Sequence, residues 1–189
     1  MKLITRLIDT ANPVALGLAV IALVAYGFSV TQVLPQWGEL HVAAAGSLPE
    51  EAFGLRYDLH AFLMRLGPQE RADYILLQLL DVPFFVAQGL ILAWAMALGI
   101  KARGQRIGLQ WALVLPLIAM EADLVENVGL IVATFTRDAQ PHWLYILAAT
   151  QVKFVATQVG IALGAFGSLV WVGHNLYTRN REQGQVRLF

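Results

Sequence analysis

The sequence contains no cysteine, which excludes disulfides, thiolate metal sites, iron–sulfur clusters and thiol redox chemistry. Charge is also scarce, since Asp, Glu, Lys and Arg make up 14% of the chain, against about 25% in soluble domains. The 13 basic and 13 acidic residues cancel to a formal net charge of zero, so no basic surface favours nucleic acid as a partner. The composition therefore argues against redox and nucleic-acid functions.

Apolar residues are in excess: they make up 58% of the sequence and give a mean hydropathy of +0.61. The 29 residues from Thr10 to Gly38 contain no Asp, Glu, Lys or Arg, whereas about 20 apolar residues are enough to cross a bilayer. We therefore predict an all-α membrane protein, a four-transmembrane-helix bundle that forms one domain over residues 1–189. The predicted spans cover about residues 13–34, 70–100, 110–136 and 143–177, and Asn12 is the predicted N-cap of the first.

The predicted orientation follows from the Lys and Arg residues that flank the spans, because cytoplasmic loops carry an excess of both. The N-terminus, the loop between spans two and three, and the C-terminal tail carry eight: Lys2, Arg6, Lys101, Arg103, Arg106, Arg179, Arg181 and Arg187. The opposite side carries four: Arg56, Arg65, Arg71 and Arg137. We therefore predict a multi-pass protein of the cell inner membrane with both its N-terminus and its C-terminus in the cytoplasm.

The first outer loop, about residues 35–71, is long enough to hold structure of its own. Ser47 and Glu50 have the spacing of a capping box, and Gly67-Pro68 separates this segment from the next helix. Between them, five apolar residues recur at helical spacing: Leu55, Leu59, Phe62, Leu63 and Leu66. We predict an amphipathic helix over about residues 48–66 at the outer membrane surface, either a packing cap on the bundle or a lid over a cavity.

Five ionisable residues fall inside the predicted spans, where each costs about 2.5–3.5 kcal/mol on insertion scales: Asp81, Glu121, Asp123, Glu126 and Lys153. With a rise of about 1.5 Å per residue, Asp81, Glu126 and Lys153 lie about 12–15 Å from the outer ends of their helices. Glu121 points away from the Asp123 face, either toward the first span or into a different pocket. The other four are the candidate catalytic residues. The three acids would act as acid/base or cation-binding groups, and Lys153 would hold an anionic group or favour an ionised carboxyl.

Helical spacing places further polar side chains beside these four, and we predict that they bind a ligand: Tyr74, Gln78, Asn127, Thr150, Thr157 and Arg71. If all four central residues are ionised, the cluster carries two surplus negative charges. Protons, a bound cation, or Arg71 and Arg137 reaching inward should neutralise these charges. A pocket open toward the outer side and a structural set of salt bridges both account for the residues, and we favour the pocket. On the last span, Gly160 and Gly164 have the spacing that lets another helix approach closely.

Other chemistries lack their sequence signatures. The four histidines, His41, His60, His142 and His174, do not lie in the middle of any span, which argues against a haem held by two histidines. The run Asp123-Leu-Val-Glu126-Asn127 could hold Mg²⁺ through oxygen ligands. One such motif is weak support, so we predict no metal site, and the sequence indicates no cofactor.

Four features occur in a characteristic order along the chain. They are Pro-Glu-Glu-Ala-Phe at residues 49–53, Gly-Pro-Gln-Glu-Arg-Ala-Asp-Tyr at 67–74 leading to Asp81, the run from Asp123 to Asn127, and Lys153. In this order, over residues 48–164, the chain resembles a family of small bacterial four-span membrane proteins for which no activity is settled. The resemblance implies a bacterial membrane and the same site residues, but it implies no reaction.

Three functional hypotheses remain. The leading one is a buried acidic/Lys pocket in the outer half of the bilayer that binds or acts on a lipid-phase or periplasmic small molecule. The second is a non-catalytic accessory or assembly subunit of a larger membrane complex, with the cluster as an interhelical lock. Ion or proton translocation is the third, and only Gln88 and Gln158 support a polar path through the inner half. The expected partners are membrane lipid, other membrane subunits or a homo-oligomer, and no nucleic acid. Whether the protein is an enzyme stays open.

Overall fold

A computed structural model describes residues 2–33, 48, 58–104 and 107–186, and every regular element in this part of the chain is a helix. The α-helices are α1 (Lys2–Thr10), α2 (Pro13–Val33), α3 (Leu59–Arg65), α4 (Pro68–Ala102), α5 (Val114–Thr136) and α6 (Trp143–Val186). A 3-10 helix, Ile107–Leu113, precedes α5. Helices begin near each predicted span, and the prediction of an all-helical fold is confirmed for these residues.

Three helices are long and apolar enough to cross a membrane, namely Pro13–Val30 within α2, all of α4, and Trp143–Arg181 within α6. The start of α2 follows the sequence prediction, because the Asn12 side chain accepts a hydrogen bond of 2.8 Å from the backbone N–H of Val14. Most of the α2 surface is exposed although it is apolar, as expected for a helix that faces lipid. The chain therefore has the character of a membrane protein.

Two helices differ in extent from the membrane spans predicted within them. The predicted third span begins at about residue 110, but α5 begins at Val114, because a 3-10 helix occupies Ile107–Leu113 and Pro116 lies in the first turn of α5. A first turn tolerates proline because its N–H groups have no helical acceptor. The predicted fourth span ends near residue 177, but α6 continues to Val186. Its 44 residues correspond to about 66 Å, more than twice the thickness of a hydrocarbon core.

The core of the fold is a three-helix bundle in which α4, α5 and α6 each pack against the other two, while α2 packs against α4. Pro83 lies inside α4 and cannot donate a backbone hydrogen bond to the preceding turn. Close to it, the Tyr26 hydroxyl of α2 donates to the carbonyl oxygen of Leu80 at 2.8 Å. Pro83 leaves the carbonyl of Leu79 without its helical donor, and Tyr26 donates to the neighbouring carbonyl of Leu80. The contact joins α2 to α4 one residue before Asp81.

Helix α3 covers the end of the bundle where α4 and α6 begin and α5 ends, which we call the α3 end. Its predicted apolar face is confirmed for Leu59, Phe62 and Leu63, which are at most 2% exposed and pack in one cluster with Tyr74 and Leu130. Of the predicted range of 48–66, residues 49–57 lie outside the described residues, and the described helix covers Leu59–Arg65. The Asp58 side chain accepts a 2.9 Å hydrogen bond from the N–H of Ala61 and begins the helix there. The predicted capping box at Ser47 and Glu50 lies outside the described residues.

The junction between α3 and α4 follows the predicted Gly67-Pro68 pair, with one difference. Gly67 has a φ of −67° and serves as the N-cap of α4, so it does not use the left-handed conformation that glycine permits. Its backbone N–H donates to the Glu70 side chain at 2.5 Å, while Pro68 occupies the first turn. The position of Pro68 in a first turn is therefore confirmed.

The opposite end of the bundle, which we call the α1 end, holds a second apolar cluster. Leu7, Ile8 and Ala11 are buried against the last turns of α4, and Leu113 joins them. The closest helix crossing lies here: a Cβ atom placed on Gly99 would lie 2.5 Å from the Cα of Gly167. α4 also approaches the predicted pair of Gly160 and Gly164, since a Cβ on Gly164 would lie 3.4 Å from Ala95 Cβ and 3.7 Å from the Leu92 carbonyl oxygen, but the contact at Gly167 is tighter.

We predict that Gly167→Ala destabilises the bundle, since a Cβ there would meet the carbonyl oxygen of Ala95 at 2.7 Å and the Cα of Met96 at 3.1 Å. Overpacking of this kind costs about 1–3 kcal/mol. Thermal unfolding in detergent measures the effect. The matched control is Gly173→Ala in the same helix, where a Cβ has nothing within 4 Å, and its midpoint should stay within error of the parent or rise. Equal melting midpoints for Gly167→Ala and Gly173→Ala would contradict the close contact of α4 and α6 at Gly167.

Candidate functional site

The predicted polar cluster assembles where α4, α5 and α6 meet. Asp123, Glu126 and Asn127 share one face of α5 because they lie at i, i+3 and i+4. That face packs against Thr150 and Lys153 of α6, and Asp81 approaches from α4. These six residues, Asp81, Asp123, Glu126, Asn127, Thr150 and Lys153, are called the acidic/Lys cluster below. The structure therefore brings together all four predicted catalytic residues and two of the predicted ligand-binding residues.

Lys153 is the centre of the cluster. Its Nζ lies 3.2 Å from Asp123 Oδ1 and forms a closer ion pair with Glu126 Oε2. The same ammonium group lies 4.7 Å from the centre of the Phe85 ring, within the range of a cation–π interaction. Lys153 is 8% exposed, and Asp123 and Glu126 are 1% or less. One cation thus ties two buried carboxylates to an aromatic face of α4.

Hydrogen bonds extend the ion pairs in both directions. The Asn127 amide donates to Asp123 Oδ2 at 3.1 Å and to Asp81 Oδ2 at 3.3 Å, so it bridges α5 and α4. The Thr150 hydroxyl lies 2.7 Å from Glu126 Oε1 and 2.9 Å from the carbonyl oxygen of Ile146. Both oxygens of Glu126 and both of Asp123 therefore have partners. Asp81 is the only carboxylate of the three that is partly exposed.

The charges of the cluster do not balance. Three carboxylates face one ammonium group, which leaves two surplus negative charges if all are ionised. The predicted inward reach of Arg137 is wrong, because Arg137 is exposed at the end of α5 with a left-handed φ of 57°. Asn127 Oδ1 and Thr157 Oγ1 are both buried without a hydrogen-bond partner. The cluster therefore has more acceptors than donors, which leaves room for a proton-bearing or cationic group.

The remaining predicted ligand-binding residues lie around the cluster at different distances. Thr157 follows Lys153 by one turn of α6, and Gln78 is buried one turn before Asp81 on α4. Tyr74 lies farther away, in the apolar cluster at the α3 end, with its ring edge-on to Phe62 at 5.1 Å between centroids. Arg71 stands ten residues before Asp81, about 15 Å along the helix, and pairs with none of the cluster residues in the described part of the chain.

Apolar layers close the cluster at both ends among the described residues. Toward the α3 end, the next turns of the three helices place Tyr74, Leu130 and Ile146 in one packed cluster with α3. Toward the α1 end, Met120 packs on Gly89 of α4 so closely that a Cβ on Gly89 would overlap its sulfur. Among the described residues, α3 and Tyr74 cover the α3 end, which the predicted orientation assigns to the outer side, so the pocket open toward that side stays a prediction. α3 serves as a packing cap.

Sequence reasoning missed one contact of the site and left the surroundings of Glu121 open. Phe85 supplies the aromatic face for Lys153, and its position four residues after Asp81 is the signal that could have identified it. Glu121, predicted to meet the first span or a different pocket, is exposed in a groove between α5 and α6. Its exposure in lipid would cost about 2.5–3.5 kcal/mol. Sequence spacing alone does not say which neighbour a helix face receives.

The site does not resemble a metal centre. Among the described residues, no group of three or more His, Cys, Asp or Glu side chains is arranged to hold a metal ion. Comparison of the chain with protein-family models, with curated proteins and with solved structures found no match. The resemblance to bacterial four-span proteins therefore stays a prediction.

We predict that Thr150→Val lowers the stability of the bundle, because it removes the hydroxyl beside Glu126 Oε1 and keeps the shape of the side chain. A hydrogen bond to a charged group is worth about 1.5–3 kcal/mol in proteins. The measurement is thermal unfolding in detergent. Thr136→Val, a matched change at an exposed position at the end of α5, should shift stability by less than about 0.5 kcal/mol. A melting midpoint of Thr150→Val equal to that of the parent protein would contradict a stabilising role for this hydroxyl.

Proposed function

We propose that the chain is a four-span protein of a bacterial inner membrane, with α2, α4, α5 and α6 as its spans. The course of the chain supports α5 as a span. α4 runs from the α3 end to the α1 end, and α6 begins again at the α3 end, so α5 has to return across the same distance. Its 23 residues correspond to about 35 Å, enough to cross a hydrocarbon core of about 30 Å. α5 is mostly apolar, with three acidic residues, and two of these, Asp123 and Glu126, are buried and paired.

The predicted orientation assigns the α1 end to the cytoplasm, because the basic residues flanking that end outnumber those at the other. Reporter fusions after Arg106 and after Arg187 should therefore both report the cytoplasm, and a fusion after Gly46 the opposite side. With three spans, the reporters at Arg106 and Arg187 would lie on opposite sides of the membrane. That result would contradict the four-span proposal, and a cytoplasmic signal at Gly46 would contradict the orientation.

We propose further that the acidic/Lys cluster binds a small molecule that carries a cationic or proton-donating group. The observation that carries this proposal is the imbalance of the cluster, in which three carboxylates and the unpartnered Asn127 Oδ1 face one ammonium group. Because Lys153 is already paired with two carboxylates, its role is to hold Asp123 and Glu126 in place. The cluster can therefore bind a further positive charge or further hydrogen-bond donors.

Access to the cluster is lateral in this proposal. Apolar layers cover both ends, while Asp81 is partly exposed beside the fully buried Asp123 and Glu126. A ligand dissolved in the lipid phase therefore reaches Asp81 first, and Asn127 relays the contact to Asp123. The close packing of Met120 on Gly89 also argues against ion or proton translocation, since Met120 offers no polar step toward the α1 end.

The second candidate function is an accessory or assembly subunit whose cluster is a structural lock. The observation in its favour is the completeness of the pairing around Lys153, which links α5 to α6 through two carboxylates. Burying ion pairs inside a membrane bundle can hold the helices in one register without any ligand. The two functions predict different changes in stability when Lys153 is replaced by an uncharged residue.

A double-mutant cycle on Lys153 and Glu126 separates the two functions. If the cluster is a lock, Lys153→Met leaves two buried carboxylates without their cation and should cost about 3–5 kcal/mol, while Lys153→Met with Glu126→Gln should recover most of it. If the cluster is a ligand site whose surplus charge is already neutralised, Lys153→Met should change stability little. Melting curves in detergent for the singles and the double measure the difference. Strong rescue in the double variant contradicts the ligand site.

Native mass spectrometry of the same purified proteins supplies the second readout. A ligand site predicts that the parent protein retains a small molecule at one-to-one stoichiometry and that Asp81→Asn loses it without a loss of stability. Asp73→Asn is the matched control on α4, because Asp73 lies near the start of that helix and accepts from Gln69 at 3.3 Å. Equal retention by the Asp81→Asn and Asp73→Asn variants would contradict the assignment of Asp81 as the ligand contact.

A further inference from the structure

Glu121 lies in a groove on the outside of the bundle, between α5 and α6, that plays no part in the acidic/Lys cluster. The groove has a volume of about 340 Å³ and exposes the carboxylate-bearing side chain of Glu121 on its α5 wall. Three alanines line it, Ala122, Ala148 and Ala149, together with four larger residues, Ile118, Val125, Tyr145 and Val152. Small side chains of this kind let the backbone of another helix approach closely.

The depth of Glu121 follows from the contacts of its neighbours. The ion pair between Asp123 and Lys153 places Asp123 level with a residue ten positions into α6, about 15 Å from its start. Glu121 lies two residues beyond Asp123 toward the α1 end, about 3 Å deeper. In a hydrocarbon core of about 30 Å this position is near the midplane, where neither water nor a lipid headgroup is available.

A lone carboxylate at this depth is unfavourable, so it needs a partner with a cation or a hydrogen-bond donor. A second copy of the chain does not provide a cation. Lys153 is the only Lys or Arg in the middle of any of the four helices, and it is engaged in the cluster. The other basic residues in these helices stand near their ends or in the part of α6 beyond a membrane's thickness: Arg71, Lys101, Arg179 and Arg181.

We propose that this groove docks a transmembrane helix of another protein, which presents a Lys or Arg side chain to Glu121 near the middle of the membrane. The alanines allow the backbone of the partner helix to approach closely. The charge of Glu121 requires a basic residue on that helix at the same depth in the membrane. The inference rests on the proposed four-span topology, which places α5 in the membrane. It does not rest on the proposed ligand site, because Glu121 shares no contact with the acidic/Lys cluster among the hydrogen bonds and ion pairs described above.

The test measures energy transfer between the full-length protein and a model helix in phosphatidylcholine vesicles. Because the chain has no cysteine, Gln140→Cys gives one labelling position, exposed in the turn between α5 and α6. The probe is a leucine-rich transmembrane peptide with one central lysine, and its matched control has leucine in that place. We expect the lysine peptide to associate at least tenfold more tightly than the leucine peptide.

Two variants connect the association to the groove. Glu121→Gln should weaken binding of the lysine peptide at least tenfold and leave the leucine peptide unchanged. Because Glu121 is exposed, the variant should keep the parent melting curve, which excludes misfolding as the cause. Adding Gln158→Glu to Glu121→Gln places an exposed acid elsewhere on α6, outside the groove, and should not restore binding.

Three results would overturn the proposal. The first is equal association of the lysine and leucine peptides, and the second is restoration of binding by Gln158→Glu. The third is energy transfer between donor-labelled and acceptor-labelled copies of the protein that is lost in Glu121→Gln. This result would assign the groove to a second copy of the chain. None of the three bears on the acidic/Lys cluster, so failure here is distinct from failure of the ligand site.

Discussion

The ammonium group of Lys153 sets the register in which α4, α5 and α6 meet. It pairs with Glu126 and Asp123 on α5 and lies over the Phe85 ring on α4, so one side chain touches both neighbouring helices. Once these pairs form, the antiparallel register of α5 and α6 is set. Thr150 then falls beside Glu126, and Ile146 falls one turn farther, beside Gly129. In a medium without water, a register shifted by one residue would separate buried opposite charges at a large energetic cost.

The surroundings of the cluster limit what it can do. Packed apolar layers at both ends argue against a continuous polar path, and they leave the partly exposed Asp81 as the member that a ligand can reach. In the ligand site that we propose, the surplus of acceptors over donors favours a ligand that brings protons or positive charge. The same bundle carries a second, separate demand for positive charge at Glu121, which faces outward. Lys153 balances part of the negative charge of the cluster. For Glu121, our proposal assigns the balancing charge to a helix of another protein.

Much of the fold could be predicted from the sequence, because hydropathy and helix signals act locally. The start of α2 at Asn12-Pro13 and the start of α4 at Pro68 follow from capping rules that involve neighbouring residues only. The grouping of Asp81, Asp123, Glu126 and Lys153 could also be predicted, because comparable depths and one-sided spacing converge on the same place. The start of α3 and the end of α6 could not be predicted, because the free energies of alternative helix ends differ only slightly.

The sequence by itself determined the helical class, the apolar segments and the set of ionisable residues inside them, since these depend on composition and on a period of 3.6 residues. Only the tertiary structure decided which polar residues belong to the cluster. Tyr74 shares a helix face with Asp81 but packs with Phe62, while Phe85 contacts Lys153. It also decided that Glu121 is exposed and that the closest crossing is at Gly99 and Gly167. The physical reason is that helix rotation and crossing depend on all the side chains packed between helices, which no single helix contains.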